Sequence, residues 1–246
     1  MDFVERVLAA HADGWEAEGR LRAGAARVAG ARLMCAGLPE MQWNGAWVTG
    51  LPVDLEAIAH WFAERHCPWG LAVPRVLDYE PPGERITSLR LMGLEPRTFS
   101  PPAAAQTELP IRRASHADLE VLVALDLAVF GGSPDLARQW LAPPLGAPGF
   151  THWIAERDGQ PVGMAIANRT TSDAGPAGSI TGVGVLDTVR RRGIGAAVTA
   201  RACASLFELG ATLIQLSPNT ELAARVYQRL GFQEVPGLTI YRVRPS

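Results

Sequence analysis

The residues best suited to chemistry lie in one stretch, where a predicted strand leads into a turn rich in arginine and glycine. From Gly182 the stretch reads Gly-Val-Gly-Val-Leu-Asp-Thr-Val-Arg-Arg-Arg-Gly-Ile-Gly-Ala-Ala-Val, and its end opens a predicted helix. The first turn of a helix leaves about four backbone N–H groups without a partner, and the helix dipole places about half a positive charge there. Glycines let the backbone approach phosphate oxygens, and arginines add charge and forked donors. This pattern is typical of a site that holds a diphosphate.

Two other glycine-rich phosphate motifs do not fit this stretch. A Walker-type phosphate loop needs a lysine, and all 23 basic residues of the chain are arginine. The same absence excludes a catalytic lysine or a Schiff base. A dinucleotide fingerprint would place Gly or Ala three residues after Gly195, where Val198 stands, and would begin a domain.

The run from Arg190 to Gly195 resembles the Arg/Gln-x-x-Gly-x-Gly/Ala motif of the GNAT superfamily of acyl-CoA-dependent N-acetyltransferases. The preceding Val183-Gly-Val185 is similar to that family's fourth strand. Downstream, the chain resembles the family's ending of Asn followed by Ala-x-x-x-Tyr-x-x-x-Gly-Phe. If Ala223 is the matching alanine, its spacing to Tyr227 equals that of the family motif. If Ala224 is the match, the spacing is one residue shorter. The resemblance covers about residues 108–245.

This resemblance implies a role for each matching position. Backbone amides of residues 190–196 would cradle the pyrophosphate of coenzyme A, and the strand at 183–185 would pair with the pantetheine arm. Asn219 would contact that arm, and Tyr227 would act as general acid beside the thioester sulfur. The implied cofactor-binding residues are Val183, Gly184, Val185, Arg190, Arg191, Arg192, Gly193, Ile194, Gly195, Ala196 and Asn219.

Several of these residues also have a purely structural interpretation. Gly182 and Gly184 fit a β-bulge. Tyr227 falls on the apolar stripe of its helix, where an aromatic residue is usually part of the core. Asn219 fits the N-cap of a helix beginning at Glu221. The sequence leaves these alternatives open.

The expected general base is missing from the motif. Many family members carry a glutamate on the fourth strand, whereas this strand offers only Ser179 and Thr181. Glu156, Asp173 or a chain of water molecules could substitute, and the sequence does not decide among them. The amine could also arrive partly neutral.

The elements around the motif predict a mixed α+β sheet flanked by helices. Strands are predicted at residues 109–113, 150–156, 161–168, 179–186, 212–216 and 238–243, and helices at 115–130, from 133, at 194–209 and at 221–230. Hairpin-connected strands come first and a β-α-β crossover later, which is the order that the resemblance implies.

The N-terminal part is predicted to be a weaker copy of the same unit. Strands are predicted at 32–37, 45–50 and 70–73, and helices at 54–65 and 85–91. Residues 92–95 echo residues 229–233, which suggests an internal duplication. Residues 98–107, rich in proline and small residues, are interpreted as a linker. The predicted domains are therefore 1–105 and 106–246, two GNAT-like units in tandem.

The N-terminal unit is predicted to be degenerate. Where a phosphate turn would lie, Pro52 removes one N–H donor, and Asp54 puts negative charge at the helix start. We expect the tryptophans of this part to pack a core or an interface. They are Trp15, Trp43, Trp47, Trp61 and Trp69.

Composition excludes several classes of protein. A net charge of −2 and a pI near 6.2 argue against a general nucleic-acid binder. A mean hydropathy of +0.06 and the lack of a long apolar run argue against a membrane span. Three widely spaced cysteines fit a reducing cytoplasm, and the chain start does not resemble a signal peptide. His60, His66 and Cys67 are not spaced as metal ligands, so no metal is expected.

The sequence thus predicts a cytoplasmic N-acetyltransferase that moves the acetyl group of acetyl-CoA directly to a primary amine of a small molecule or peptide. The alternative is a non-catalytic acyl-CoA-binding or regulatory module with the same fold. A purely structural protein would leave the arginine-glycine turn without a purpose. The acceptor is not indicated, and the chain is expected to be a monomer or a homodimer.

Overall fold

The structure is a computed structural model that describes residues 1–101 and 109–243. The helices are α1 (Phe3–Arg20), α2 (Leu55–Ala63), α3 (Leu119–Phe130), α4 (Pro134–Leu141), α5 (Ile194–Glu208) and α6 (Glu221–Arg229). The strands are β1 (Gly24–Val28), β2 (Ala31–Cys35), β3 (Asn44–Val48), β4 (Gly70–Pro74), β5 (Gly83–Leu94), β6 (Ile111–Arg113), β7 (Phe150–Arg157), β8 (Gln160–Ser172), β9 (Gly175–Val185), β10 (Leu213–Leu216) and β11 (Gln233–Val243). Most of the predicted linker, residues 102–107, lies outside the described residues.

All eleven strands form one mixed sheet in the order β1-β2-β3-β4-β11-β5-β10-β9-β8-β7-β6. The central pair, β11 and β5, is antiparallel. Outward from this pair, each side shows one antiparallel neighbour, then a parallel pair, then further antiparallel strands. The predicted α+β class, a mixed central sheet flanked by helices, is confirmed.

The two halves of the chain exchange strands at the centre of the sheet. β5, from the N-terminal part, lies between β10 and β11. β11, from the C-terminal part, lies between β4 and β5. The β3-α2-β4 unit thus mirrors the β9-α5-β10 unit, since each contains a helix between two parallel strands. The division of the chain near residue 105 stays a prediction, and its two parts share one sheet.

The predicted helix at 85–91 was wrong, because this segment belongs to β5. It pairs with β11 along most of its length and with β10 at its end. Two flanking strands satisfy its backbone groups, and such tertiary pairing overrides a weak local preference for helix. The echo of residues 229–233 in residues 92–95 was also misplaced. Gly93 lies within a strand, whereas Gly231 follows a helix.

Helix α1 was not predicted, because its buried positions include polar residues such as His11, Asp13 and Glu16 beside the apolar ones. Asp2 and Glu5 form a capping box at its start. α1 contacts β1 and β2 in one half of the sheet and β8, β9 and β10 in the other, so it packs against both halves. A Cβ at Gly14 would overlap the Ser179 hydroxyl, which explains why glycine occupies this close contact.

Aromatic side chains join the two halves beside α1. Trp15 of α1 stacks on Trp47 of β3, with ring centroids 5.1 Å apart. The ring centroids of Trp43 and of Trp140 of α4 lie 4.3 Å apart. These contacts place three N-terminal tryptophans at an interface, as predicted. Within the described ranges, no helix has the length and apolar character needed to cross a membrane.

Candidate active site

Strands β9 and β10 separate at one end, and this opening is the centre of the candidate site. Their parallel pairing ends where Leu216 lies opposite Ile180. β9 continues to Val185, paired only with β8 over this stretch. The Ser217 hydroxyl donates a 2.7 Å hydrogen bond to the Arg90 carbonyl on β5. The chain leaving β10 is therefore drawn toward β5 and away from β9.

A β-bulge lies in β9 beside this opening. The pairing between β8 and β9 shifts register between Met164 and Ile166. Gly182 has φ +58°, a left-handed conformation that favours glycine. The structural interpretation of Gly182 is thus correct. A bulge also leaves strand N–H and C=O groups without partners in the ladder, so the two interpretations are compatible.

The arginine-glycine turn follows β9 directly and opens α5. Gly193 caps the helix with φ +79°, and Arg191 has φ +63°. The first intrahelical bond runs from the Ala197 N–H to the Gly193 carbonyl at 2.9 Å. The amides of residues 194–196 precede this bond, and the first turn carries no acidic side chain. These amides can therefore donate to an anion.

The three arginines of the turn differ in their contacts. Arg190 donates to the Val185 carbonyl at 3.2 Å and pairs with Asp187 at 2.6 Å, which braces the turn. Arg191 and Arg192 are exposed. The turn combines a fixed backbone shape with exposed positive charge, a combination suited to a diphosphate.

Tyr227 lies on the buried face of α6 and is 8% exposed. Its ring packs against Phe232, and the apolar cluster around it also contacts Val183 and Val185 of β9. Burial, and to a lesser degree the Cys203 thiol, raise the pKa of Tyr227 to about 12. The phenol is therefore protonated at neutral pH, on the same apolar cluster as the separating strand.

Asn219 is exposed in the segment between β10 and α6, three residues beyond the end of the β9–β10 pairing. The N-cap of α6 is Thr220, whose hydroxyl accepts from the Ala223 N–H at 3.1 Å. The interpretation of Asn219 as the helix cap was therefore wrong. Its place at the edge of the opening is compatible with a ligand contact.

The start of α6 is tied to strand β5 of the N-terminal part. Arg90 pairs with Glu221 at 2.6 Å and with Glu234 at 2.7 Å. These hydrogen bonds hold the pKa of both carboxyl groups below the usual range and raise the pKa of Arg90. An N-terminal residue thus helps to position the helix that carries Tyr227.

The acids considered as substitutes for the missing glutamate lie elsewhere. Glu156 accepts from Arg112 at 2.7 Å, on β7. Asp173 precedes β9, at the end of the strand opposite the opening, and contacts Arg32. Neither acid lies on β9 or β10 at the opening. Ser179 of β9 is buried, and its hydroxyl accepts from the Gln215 amide at 2.8 Å.

The sequence interpretation missed one acid on the neighbouring helix α3. Asp126 is half-buried, and burial raises its pKa. A usable signal was present, because Asp126 is the only charged residue among the last ten of the apolar segment Leu-Glu-Val-Leu-Val-Ala-Leu-Asp-Leu-Ala-Val-Phe. A charge in the interior of such a helix needs an explanation.

The corresponding turn of the N-terminal half is already satisfied by its own residues. The Asp54 carboxylate accepts from the Ala57 N–H at 2.9 Å, at the start of α2. The Thr49 N–H donates to the Gly30 carbonyl at 2.8 Å. Strand β3 pairs with β2 without a register shift, so it has no counterpart of the β9 bulge. A carboxylate occupies the place that an anionic ligand would need.

Comparison with known proteins finds a family match within the C-terminal part of the chain. The model of the acetyltransferase (GNAT) family matches residues 124–232. This region of the chain belongs to that family, and it contains β9, the arginine-glycine turn and Tyr227. No curated protein sequence matches the chain significantly.

Solved structures extend the likeness in fold to the whole chain. A GCN5-related N-acetyltransferase from Kribbella flavida has 23% identity and a TM-score of 0.74, covering 100% of this chain and 97% of its own. A conserved protein of unknown function from Staphylococcus epidermidis has 16% identity and a TM-score of 0.60, covering 89% and 93%. An aminoglycoside N-acetyltransferase solved in complex with CoA has 26% identity and a TM-score of 0.50, covering 56% of this chain and 96% of its own. The chain thus has the GNAT fold, and this likeness in fold extends over its full length.

Proposed function

We propose that this protein is an N-acetyltransferase that moves the acetyl group of acetyl-CoA to a primary amine of a small molecule or peptide. One observation supports this proposal most strongly: the bulged end of β9 leads directly into the arginine-glycine turn that opens α5. The CoA held by the aminoglycoside N-acetyltransferase supports the same cosubstrate for this chain.

The residues divide the binding of acetyl-CoA between them. Amides 194–196, with Arg191 and Arg192, receive the pyrophosphate. The backbone of Val183, Gly184 and Val185 pairs with the pantetheine arm as an added strand, and Asn219 contacts the arm from the other side of the opening. Arg190 keeps the turn in shape through its bond to the Val185 carbonyl.

Transfer occurs in one step of direct attack within this opening. The neutral amine attacks the thioester carbonyl, and an N–H of the bulged strand donates to the oxygen as negative charge develops there. The C–S bond then breaks, and Tyr227 gives its proton to the departing thiolate. A pKa of about 12 keeps Tyr227 in the protonated form that this role needs.

The N-terminal part serves as a structural partner in this proposal. It supplies β5 between β10 and β11, and α1 covers the sheet beside the opening. In the corresponding turn of this part, the Asp54 carboxylate already accepts from the Ala57 N–H, so one acetyl-CoA binds per chain. Monomer and homodimer are both compatible with this arrangement.

A non-catalytic acyl-CoA-binding module is the second candidate, favoured by the lack of a carboxylate at Ser179 and Thr181 of β9. Thiol release from acetyl-CoA across a chemically diverse amine panel separates the two. Amine-dependent release of CoA supports the transferase. Tight binding of CoA in calorimetry, with no release across the panel, supports the binding module.

A further inference from the structure

We infer that Asp126 binds the ammonium group of the acceptor and accepts its proton before the attack. The inference rests on the proposed function and adds a catalytic residue to it. It assigns the missing proton acceptor to α3, since β9 offers none. The acceptor is accordingly an amine that arrives as a cation.

The position of Asp126 follows from contacts one helical turn further along α3. A Cβ at Gly184 would lie 3.1 Å from Val129 and 3.4 Å from Phe130. Asp126 precedes these residues by three and four positions, so it lies on the same face of the helix. Its side chain therefore faces the sheet one turn before Gly184.

The direction of α3 determines which part of β9 Asp126 faces. The helix starts after Ala114, whose N–H donates to the His152 carbonyl early in β7. This point is level with Thr181 of β9, because His152 of β7 aligns with Ile166, and Ile166 with Thr181, whereas α3 ends beside Gly184. The helix and β9 thus run in the same direction. One turn spans about 5.4 Å, or between one and two strand residues, which places Asp126 opposite the bulge at Gly182.

The carboxylate of Asp126 is in an unfavourable environment without a ligand. It is half-buried, and no hydrogen bond or ion pair to it is found within the part of the chain that the structure describes. An unpaired, partly desolvated carboxylate is a candidate for a functional group.

The charged groups on elements packed against α3 do not supply a counter-ion. Arg138 of α4 is engaged by Glu120 at 2.9 Å and by Asp135 at 3.1 Å. In the turn before α3, Asp118 pairs with Arg112 and His116 packs against Gly146, three turns or so from Asp126. β8 carries Arg169 near its far end, and β9 carries no ionisable side chain. A cation from outside the chain is the partner that remains.

Each proton that moves in this step has a donor and an acceptor. The ammonium group transfers one proton to the Asp126 carboxylate and becomes a neutral amine, whose lone pair forms the new C–N bond. The C–S bond breaks, and its electron pair takes the Tyr227 proton. The second amine proton is lost as the amide forms and restores Tyr227 through solvent, and Asp126 releases its proton to solvent.

The test compares Asp126→Asn with Asp126→Glu. The matched control is Asp135→Asn, which removes an exposed carboxylate on α4. The acceptor is the best amine from the thiol-release panel, followed from pH 5 to 9 with acetyl-CoA. For Asp126→Asn we expect kcat/KM for the amine to fall at least about 100-fold, as for loss of a general base. The decline in activity that the wild-type protein shows at low pH should be absent from this variant, and its affinity for acetyl-CoA should be unchanged. Asp126→Glu should restore part of the activity, and Asp135→Asn should change little.

Two different failures are distinguishable. Wild-type turnover that persists in Asp126→Asn, with the same decline at low pH, overturns the role of Asp126 and leaves the transferase intact. No turnover of any amine by the wild-type protein overturns the proposed function, and the inference with it. If Asp126→Asn does not fold, Asp126→Glu decides, because it keeps the carboxylate on a side chain one methylene longer: a folded Glu variant without any activity toward the amine contradicts a role that needs only a carboxylate at this face.

Discussion

The Ser217 hydroxyl donates to the Arg90 carbonyl at 2.7 Å, and this bond joins the rim of the candidate site to the N-terminal part of the chain. Ser217 is the first residue after β10, and Arg90 lies on β5. The same arginine pairs with Glu221 at the start of α6. The strand exchange at the centre of the sheet therefore shapes both the opening between β9 and β10 and the helix that carries Tyr227.

Replacing Gly195 with valine tests the pyrophosphate site. A Cβ at Gly195 would lie 3.6 Å from Val185, an ordinary contact, so the fold should tolerate a side chain here. The added branches would occupy the space where the pyrophosphate approaches the α5 amides. Acetyl-CoA affinity in calorimetry should fall at least tenfold, or about 1.4 kcal/mol. Gly195→Ala is the matched control and should lose less. Unchanged affinity in a folded valine variant would remove the pyrophosphate assignment.

Replacing Tyr227 with phenylalanine tests the general acid. The ring and its contact with Phe232 remain, and only the hydroxyl is lost. We expect kcat to fall by about 10²–10⁴-fold with little change in acetyl-CoA affinity. Because the pKa of Tyr227 is about 12, its titration should not lower the wild-type rate below about pH 10. A phenylalanine variant with wild-type kcat, when chemistry limits the rate, would show that Tyr227 only packs the core.

The closed turn of the N-terminal half predicts one acetyl-CoA per chain. Asp54 already holds the first amides of α2, so a second pyrophosphate would meet a carboxylate. Calorimetry on the full chain should give a stoichiometry of one, and Asp54→Asn should leave it unchanged. A stoichiometry of two in the wild-type protein would show that this turn also binds the cosubstrate.

A fragment that begins at residue 106 should fold poorly. It lacks β5, which pairs with both β10 and β11, and it lacks α1, which covers β8, β9 and β10. Exposed strand edges and apolar surface promote aggregation. Producing residues 1–105 together with the fragment should restore solubility and binding of acetyl-CoA. A soluble, monomeric 106–246 fragment with unaltered kinetics would show that the N-terminal part is dispensable.

Two buried histidines predict a loss of stability at mildly acidic pH. Burial lowers the pKa of both His11 and His152 to about 4. The unfolded chain binds protons below about pH 6.5, and the folded chain does so only near pH 4, so the free energy of unfolding falls as the pH drops through this window. At pH 5 each histidine should reduce it by about 2 kcal/mol.

Urea unfolding at pH 7 and pH 5 measures this effect. His152→Leu should weaken the pH dependence by about half of the two-histidine effect, because it removes one of the two titrating rings. His60, whose side chain is 77% exposed, provides the control, and His60→Gln should leave the dependence unchanged. Equal pH dependence in the wild-type protein and in His152→Leu would contradict the prediction.

Local signals in the sequence predicted the C-terminal half well. The glycines and arginines of residues 190–195 and the predicted helices at 194–209 and 221–230 each reflect a local conformation. Such features depend on the neighbours of a residue along the chain, so they can be recognised without the fold. The same holds for Asp54, whose charge at a helix start indicated a closed turn before its bond to the Ala57 N–H was known.

Only the tertiary structure decided how the halves combine. The segment around Arg90 is a strand because β10 and β11 lie on either side of it, and α1 buries polar residues such as His11 and Asp13 because it packs against strands of both halves. The position of Asp126 opposite the bulge of β9 likewise depends on the packing of α3 on a strand about 55 residues away. Contacts between distant segments leave no periodic pattern in either segment, so they cannot be recognised from the sequence. The sequence by itself therefore determined the chemistry of the phosphate turn, and the tertiary structure determined which elements surround that turn.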